Sequence, residues 1–183
     1  EFFWGRYLLK AVLSSYLNVY PQDIVFVKNE YGKLFLDSRR HQKDIGFNLT
    51  HSHGIVASAF VLENNIGIDV EKIDKDISDI VFRFFTPEEQ EYINRSYISK
   101  NSLSYQIWTL KEAYIKAKGV GLSLPLKSYS VLDNLGVFFY TTRLFYYYYL
   151  SLAVYNPYNR GNAEFGVNLY DFNYLAEETP FGI

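Results

Sequence analysis

Two hydrophobic rhythms take turns along this chain. Residues 3–18 carry apolar side chains at Tyr7, Leu8, Val12 and Leu17, which predicts a helix. Pro21 closes the connection, and short strands are expected at 24–27 and 34–36 around a turn at 29–32. After a charged loop at 38–44, residues 47–50 lead into an apolar run at 55–62. Asn64-Asn65 then turns the chain into 66–70, so a hairpin of 55–62 with 66–70 is predicted. Helical spacing returns at 77–85. Thr86-Pro87-Glu88-Glu89 reads as a capping box for the next helix, with the hydroxyl at the N-cap, proline at N1 and glutamate at N3. A polar break at 96–101 precedes the longest helical pattern, 103–118, whose apolar stripe includes Trp108, Tyr114 and Ile115. Gly119 and Gly121 supply the positive φ angles that end a helix, and Pro125 prevents its resumption. Strands are expected at 128–133 and 137–141 around Asn134-Leu135-Gly136, then a long aromatic strand at 146–155. Beyond Arg160 the periodicity fades.

The order repeats coarsely, a helix followed by strands in each half. It predicts an α+β fold of two similar lobes in one chain, each a helix packed on a small, mostly antiparallel sheet. The expected divisions are 1–72, 73–160 and a tail at 161–183.

Two stretches carry chemistry. In Gly67-Ile68-Asp69-Val70-Glu71 the alternation is strict, so Asp69 and Glu71 share one strand face while Ile68 and Val70 share the other. Parallel carboxylates repel unless a cation or proton sits between them. In 108–126, WTLKEAYIKAKGVGLSLPL, Lys111, Glu112, Lys116 and Lys118 crowd the end of the long helix. Glu112 with the two strand carboxylates would make a hard oxygen site suited to magnesium, and the lysines would suit a phosphate-bearing substrate. Taken alone, Lys111, Glu112 and Lys116 also read as solvated helix pairing worth a few tenths of a kcal/mol.

GIDVEK, followed some forty residues later by WTLKEAYIKAKGVGLSLPL, resembles the 4'-phosphopantetheinyl transferases of the large, surfactin-synthetase-activating type. The likeness runs from about Arg6 to Tyr155. Residues 47–53, FNLTHSH, match a family segment in which serine is usual at Thr50 and glycine at His53, so the backbone path at His53 is open. The resemblance implies a single-chain pseudo-dimer; shorter relatives, the holo-acyl-carrier-protein synthases, assemble comparable lobes as trimers. It implies transfer of the phosphopantetheine arm of coenzyme A to a serine of an apo acyl or peptidyl carrier protein, releasing adenosine 3',5'-bisphosphate. Magnesium is expected on Asp69, Glu71 and Glu112. Glu112, Lys116 and Asp69 would carry catalysis, with Glu112 a candidate base for the serine proton. Arg6, Thr50, His51, Lys111 and Lys116 are expected to hold the coenzyme. Glu89 needs only its capping role. The alternative is a non-catalytic module binding coenzyme A or a carrier.

Composition narrows the classes. The 183 residues are 49% hydrophobic and 21% charged, an ordinary globular balance, with 19% aromatics. A net charge of −2 argues against nucleic acid. No apolar run approaches the ~20 residues that span a bilayer. No cysteine is present, so disulfides and thiolate chemistry are excluded. A cytoplasmic monomer is expected. The chain lacks methionine altogether and opens mid-pattern at Glu1-Phe2-Phe3-Trp4, so an incomplete N-terminus is expected.

Overall fold

Helix α1 (Phe2–Leu17) opens the computed structural model, which describes residues 2–155 and 166–171. In chain order there follow β1 (Phe26–Lys28), β2 (Leu34–Leu36), β3 (Ile45–Ser52), β4 (Ile55–Leu62) and β5 (Asn65–Lys72). Next come helices α2 (Ser78–Phe84), α3 (Pro87–Arg95) and α4 (Lys100–Lys118), then β6 (Val137–Leu144), β7 (Tyr148–Tyr155) and β8 (Gly166–Asp171). Helices with small antiparallel sheets make the fold α+β, as the pattern predicts. One sheet has the order β3-β4-β8, a second β5-β7-β6, and β1 pairs with β2.

Alternation along the strands sorts them into layers. On β4, Ala57, Ala59 and Val61 face Ile66, Ile68 and Val70 of β5 and Leu150, Leu152 and Val154 of β7, so the two sheets pack on one another. Phe60 of β4 and Phe47 of β3 point the other way, against Leu9 and Leu13 of α1. On the far face of the second sheet, Ala153 meets Ala113, Tyr114 and Ala117 of α4. The order across the molecule is therefore α1, first sheet, second sheet, α4. Each fully buried Leu, Ile or Val in this arrangement contributes roughly 1.5–3 kcal/mol of transfer free energy.

Caps behave as the residues dictate. Thr86 and Glu89 close the capping box of α3, and Gly119, at φ 70°, ends α4 in the left-handed conformation.

Two expectations need correction. Strands 55–62 and 66–70 do not pair: β3 and β8 take both edges of β4, and β5 crosses to the second sheet to pair with β7. Residues 128–133 are not a strand. Their backbone bends around a buried ion pair, with Tyr129 O accepting from Lys111 Nζ and Val131 N–H donating to Glu89 Oε1. The stretch beyond Arg160, unreadable from its periodicity, contains β8; the rest of the 161–183 tail lies outside the described residues.

Candidate active site

Gly67 sets the spacing between β5 and α4. A Cβ at this position would stand 2.0 Å from Ala113 O and 2.4 Å from Ala117 N, so only glycine lets the helix pass this close. Asp69 and Glu71 follow on the face that Gly67 presents to α4; Lys116 comes down from the helix to meet Asp69, and Glu112 lies near enough to feel the charges of both carboxylates. Lys116 Nζ donates to Asp69 Oδ1 at 2.6 Å. Thr50 donates its hydroxyl to the same oxygen at 3.3 Å, and Ser52 donates to Glu71 Oε2 at 3.3 Å.

Strand β3 supplies these hydroxyls by running alongside β5 without a backbone ladder. Asn48 Oδ1 accepts from Ile68 N–H at 3.0 Å, and Thr50 Oγ1 accepts from Val70 N–H at 3.3 Å. Two side chains at period 2 thus replace the missing ladder and join the sheets beside the carboxylates. Sequence reasoning missed Asn48 and Ser52; the signal is that both share the alternation of Thr50.

The electrostatics are those of crowded, partly dry carboxylates. Burial pushes the Asp69 carboxyl above the usual range, opposed by the Lys116 charge and by hydrogen bonds. Burial and the Asp69 charge raise Glu71. Glu112 is pushed up to about 7, first by burial, then by the Asp69 charge, with Lys116 opposing and Glu71 adding to it. The carboxylates of two different elements therefore feel one another. Asp69 Oδ2 is buried and has no hydrogen-bond partner. Among the described residues no three His, Asp or Glu side chains are grouped so that they could hold a metal ion as they stand. Lys116 covers only Oδ1, which leaves Oδ2 as an available hard donor.

A second ammonium sits at the C-terminal end of α4. Lys33 Nζ donates to Ile66 O at 3.2 Å, Lys116 O at 2.7 Å and Ala117 O at 2.9 Å, and burial lowers its pKa to about 8. Asn29 Nδ2 donates to Gly119 O at 2.6 Å. The turn before β2 thus grips the carbonyl end of α4, where a cation is favoured.

Lys111 does not join the site. It is fully buried, with Nζ donating to Glu89 Oε1 and Oε2 at 2.9 and 2.8 Å and to Tyr129 O at 2.9 Å. Three acceptors satisfy its three hydrogens, so nothing remains for a coenzyme phosphate. Glu89, read from the sequence as a cap alone, also neutralises this lysine. The other expected coenzyme contacts divide between faces. Thr50 points at the carboxylates, whereas His51, one residue on, is exposed on the opposite pleat of β3. Arg6 is exposed on α1, next to Gly5, whose backbone crosses closely over Leu49 of that same pleat.

The family model described as the 4'-phosphopantetheinyl transferase superfamily matches residues 65–158. The chain belongs to that superfamily. It is 38% identical over 133 residues to the 4'-phosphopantetheinyl transferase gsp of Aneurinibacillus migulanus, covering 71% of this chain and 53% of the relative. Against the 4'-phosphopantetheinyl transferase Sfp of Bacillus subtilis (strain 168) it is 36% identical over 128 residues, covering 69% and 55%. Against the 4'-phosphopantetheinyl transferase HetI of Nostoc it is 36% identical over 123 residues, covering 65% and 52%. The chain spans about half the length of these relatives. The family match takes in β5, α4, β6 and β7, the elements that bring Asp69, Glu71, Glu112 and Lys116 together. No helix among the described residues is long and apolar enough to cross a membrane.

Proposed function

We propose that this chain takes part in moving the 4'-phosphopantetheine arm of coenzyme A onto a serine of an apo acyl or peptidyl carrier protein. The observation that carries the reading is the unpartnered, buried Asp69 Oδ2 amid carboxylates that raise one another's pKa. Such a cluster suits a divalent cation, and Asp69, Glu71 and Glu112 would hold magnesium. When bound, that ion supplies neutralising charge at the diphosphate.

This chain's own groups would do the rest. Lys116 places an ammonium at the rim of the cluster, where it can turn from Asp69 toward a phosphate oxygen. In the transfer, the serine oxygen forms a bond to the β-phosphorus. The bond from that phosphorus to the bridging oxygen breaks, and adenosine 3',5'-bisphosphate leaves with it. The serine proton goes to the Glu112 carboxylate, the one acidic group that α4 brings to the cluster. Thr50 and Ser52 hold Asp69 and Glu71 in place, and Arg6 and His51 would meet the coenzyme from the α1 side.

We read the architecture as a pseudo-dimer of lobes, α1 on β3-β4-β8 and α4 on β5-β7-β6. Each is one helix on three antiparallel strands, and β5 belongs with the second, so the division falls in the turn before β5. A cytoplasmic monomer fits this reading, since the paired lobes lie within one chain.

The test is incubation with coenzyme A, magnesium and an apo carrier, read by mass. Addition of the phosphopantetheine mass to the carrier supports the proposal. An unchanged carrier, across carriers from fatty acid, polyketide and nonribosomal peptide systems, overturns it.

A further inference from the structure

We infer that His53 is a positioning residue for Glu71, acting through the Ser52 hydroxyl. The inference deepens the reading of Glu71 as a functional carboxylate and rests on it. His53 and Gly54 form the two-residue turn between β3 and β4, with φ of 44° and 88°. Two successive left-handed residues are what a type I′ hairpin requires, so the histidine keeps a backbone path that glycine would take more easily. A non-glycine residue there costs about 1 kcal/mol or more. The side chain that carries this cost is engaged on both ring nitrogens. Nδ1 lies 3.0 Å from Ser52 Oγ, and Nε2 lies 3.2 Å from Asp74 Oδ2. The His53 carbonyl accepts from Tyr148 OH at 3.0 Å, which ties the turn to the start of β7.

Counting hydrogens gives the direction. A serine hydroxyl has one hydrogen, and Ser52 gives it to Glu71 Oε2 at 3.3 Å. Ser52 can therefore meet His53 only as an acceptor, so Nδ1 must carry a hydrogen. Nε2 faces the Asp74 carboxylate. Asp74 in turn accepts from Tyr105 OH at 3.4 Å, which fixes it to α4. The resulting line, Asp74 to His53 to Ser52 to Glu71, leaves the Ser52 hydrogen one direction to point. Ser52 is buried while the ring is half exposed, so the imidazole is a strut reaching in from the surface.

Two measurements test this. First, kcat and KM for coenzyme A are determined in the carrier assay for the full chain and for His53→Gly, Ser52→Ala and the double variant. His53→Gly relieves the left-handed strain, so folding is preserved. We expect it to lower kcat roughly tenfold with KM unchanged, as loss of a partner behind a ligating carboxylate does. We expect the double variant to be no slower than Ser52→Ala. Wild-type kcat in His53→Gly, or losses that multiply in the double variant, would overturn the inference. Second, nitrogen NMR of the His53 ring is recorded without coenzyme. A hydrogen on Nδ1 is expected, with Ser52→Ala moving the Nδ1 signal and Asp74→Asn the Nε2 signal. An Nδ1 signal indifferent to Ser52→Ala overturns the inference even if no carrier is modified. A carrier left unmodified by the wild type, with the ring signals behaving as expected, overturns the transferase reading alone.

Discussion

Lys116 Nζ and Asp69 Oδ1 stand 2.6 Å apart, and the pair is lopsided: the Asp69 side chain is 5% exposed and that of Lys116 29%. The aspartate is committed to the interior, whereas the lysine can swing into solvent or onto a ligand. Asp69 also carries the orphaned Oδ2, so in the metal-free protein its charge is only half satisfied.

That asymmetry makes Asp69→Asn a test of function against stability. Its carboxyl has a raised pKa in the folded protein, so its ionised form opposes folding, and the amide removes that opposition. Transfer to the carrier should fall by a factor of roughly 100 to 1000, as when one preorganised polar group is removed from a site. The chelator-treated variant should melt no lower than wild type. A variant that both melts well below wild type and loses activity would make Asp69 a folding residue.

Glu112 gives a pH signature. Its folded pKa of about 7 lies above the ordinary 4.5, so the folded state binds the proton more tightly. The associated stability is complete below about pH 4.5 and is lost as pH rises through 7. At ~1.36 kcal/mol per unit, the difference amounts to roughly 3 kcal/mol between those limits. Without metal, Glu112→Gln should melt close to wild type at pH 4.5 and clearly above it at pH 8. Equal melting temperatures at both would refute the raised pKa.

How much of this was legible beforehand follows from how local each signal is. Period-2 alternation placed Asp69 and Glu71 on one face, and helical spacing put Glu112 one turn from Lys116; both relations depend on neighbours in sequence. Whether a given lysine reaches the site does not. Lys111 and Lys116 look alike in the chain, yet Glu89 takes one and Asp69 the other, and Glu89 stands 22 residues before Lys111 on another helix. The hairpin of 55–62 with 66–70 failed for the same reason: the competing partner of β4, Gly166–Asp171, is distant and carries no periodic signature of its own.

The Lys111–Glu89 pair should behave as a structural element. Both side chains are fully buried, and burial lowers the Lys111 pKa against the pull of Glu89. Removing either partner alone, as in Lys111→Met, leaves an uncompensated buried charge and should cost about 3–5 kcal/mol. The double variant Lys111→Met with Glu89→Leu should recover part of that. Its affinity for coenzyme A, measured at a temperature where it is folded, should match wild type. A large loss of affinity there would return Lys111 to the binding site.

Gly67→Ala probes the approach of α4 to β5. The added methyl would meet backbone atoms on the helix, which cannot rotate away as a side chain would. Overpacking of this kind costs typically ~1–3 kcal/mol, and the helix must also move off the carboxylates. Both a lower melting temperature and a disproportionate loss of transfer are expected. A stable, active variant would mean that the helix position is not what sets the site.

Thr50 is the most heavily used hydroxyl in the site. It donates to Asp69 Oδ1 and accepts from Val70 N–H and Lys116 Nζ, each at 3.3 Å. One hydrogen and two lone pairs are thereby all engaged, which is the full capacity of the group. Thr50→Val keeps the shape and removes all three bonds. It leaves Val70 N–H without a partner in a buried position and should cost about 1–3 kcal/mol. It also frees Asp69 from one of the bonds that hold its pKa down, so the carboxyl should titrate higher still. Thr50→Ser keeps the hydroxyl, and its stability and transfer rate should stay near wild type. If the valine variant instead kept the stability and the transfer rate of the wild type, the hydroxyl would be dispensable, and the bridge from β3 to β5 would lose its claim to hold the carboxylates.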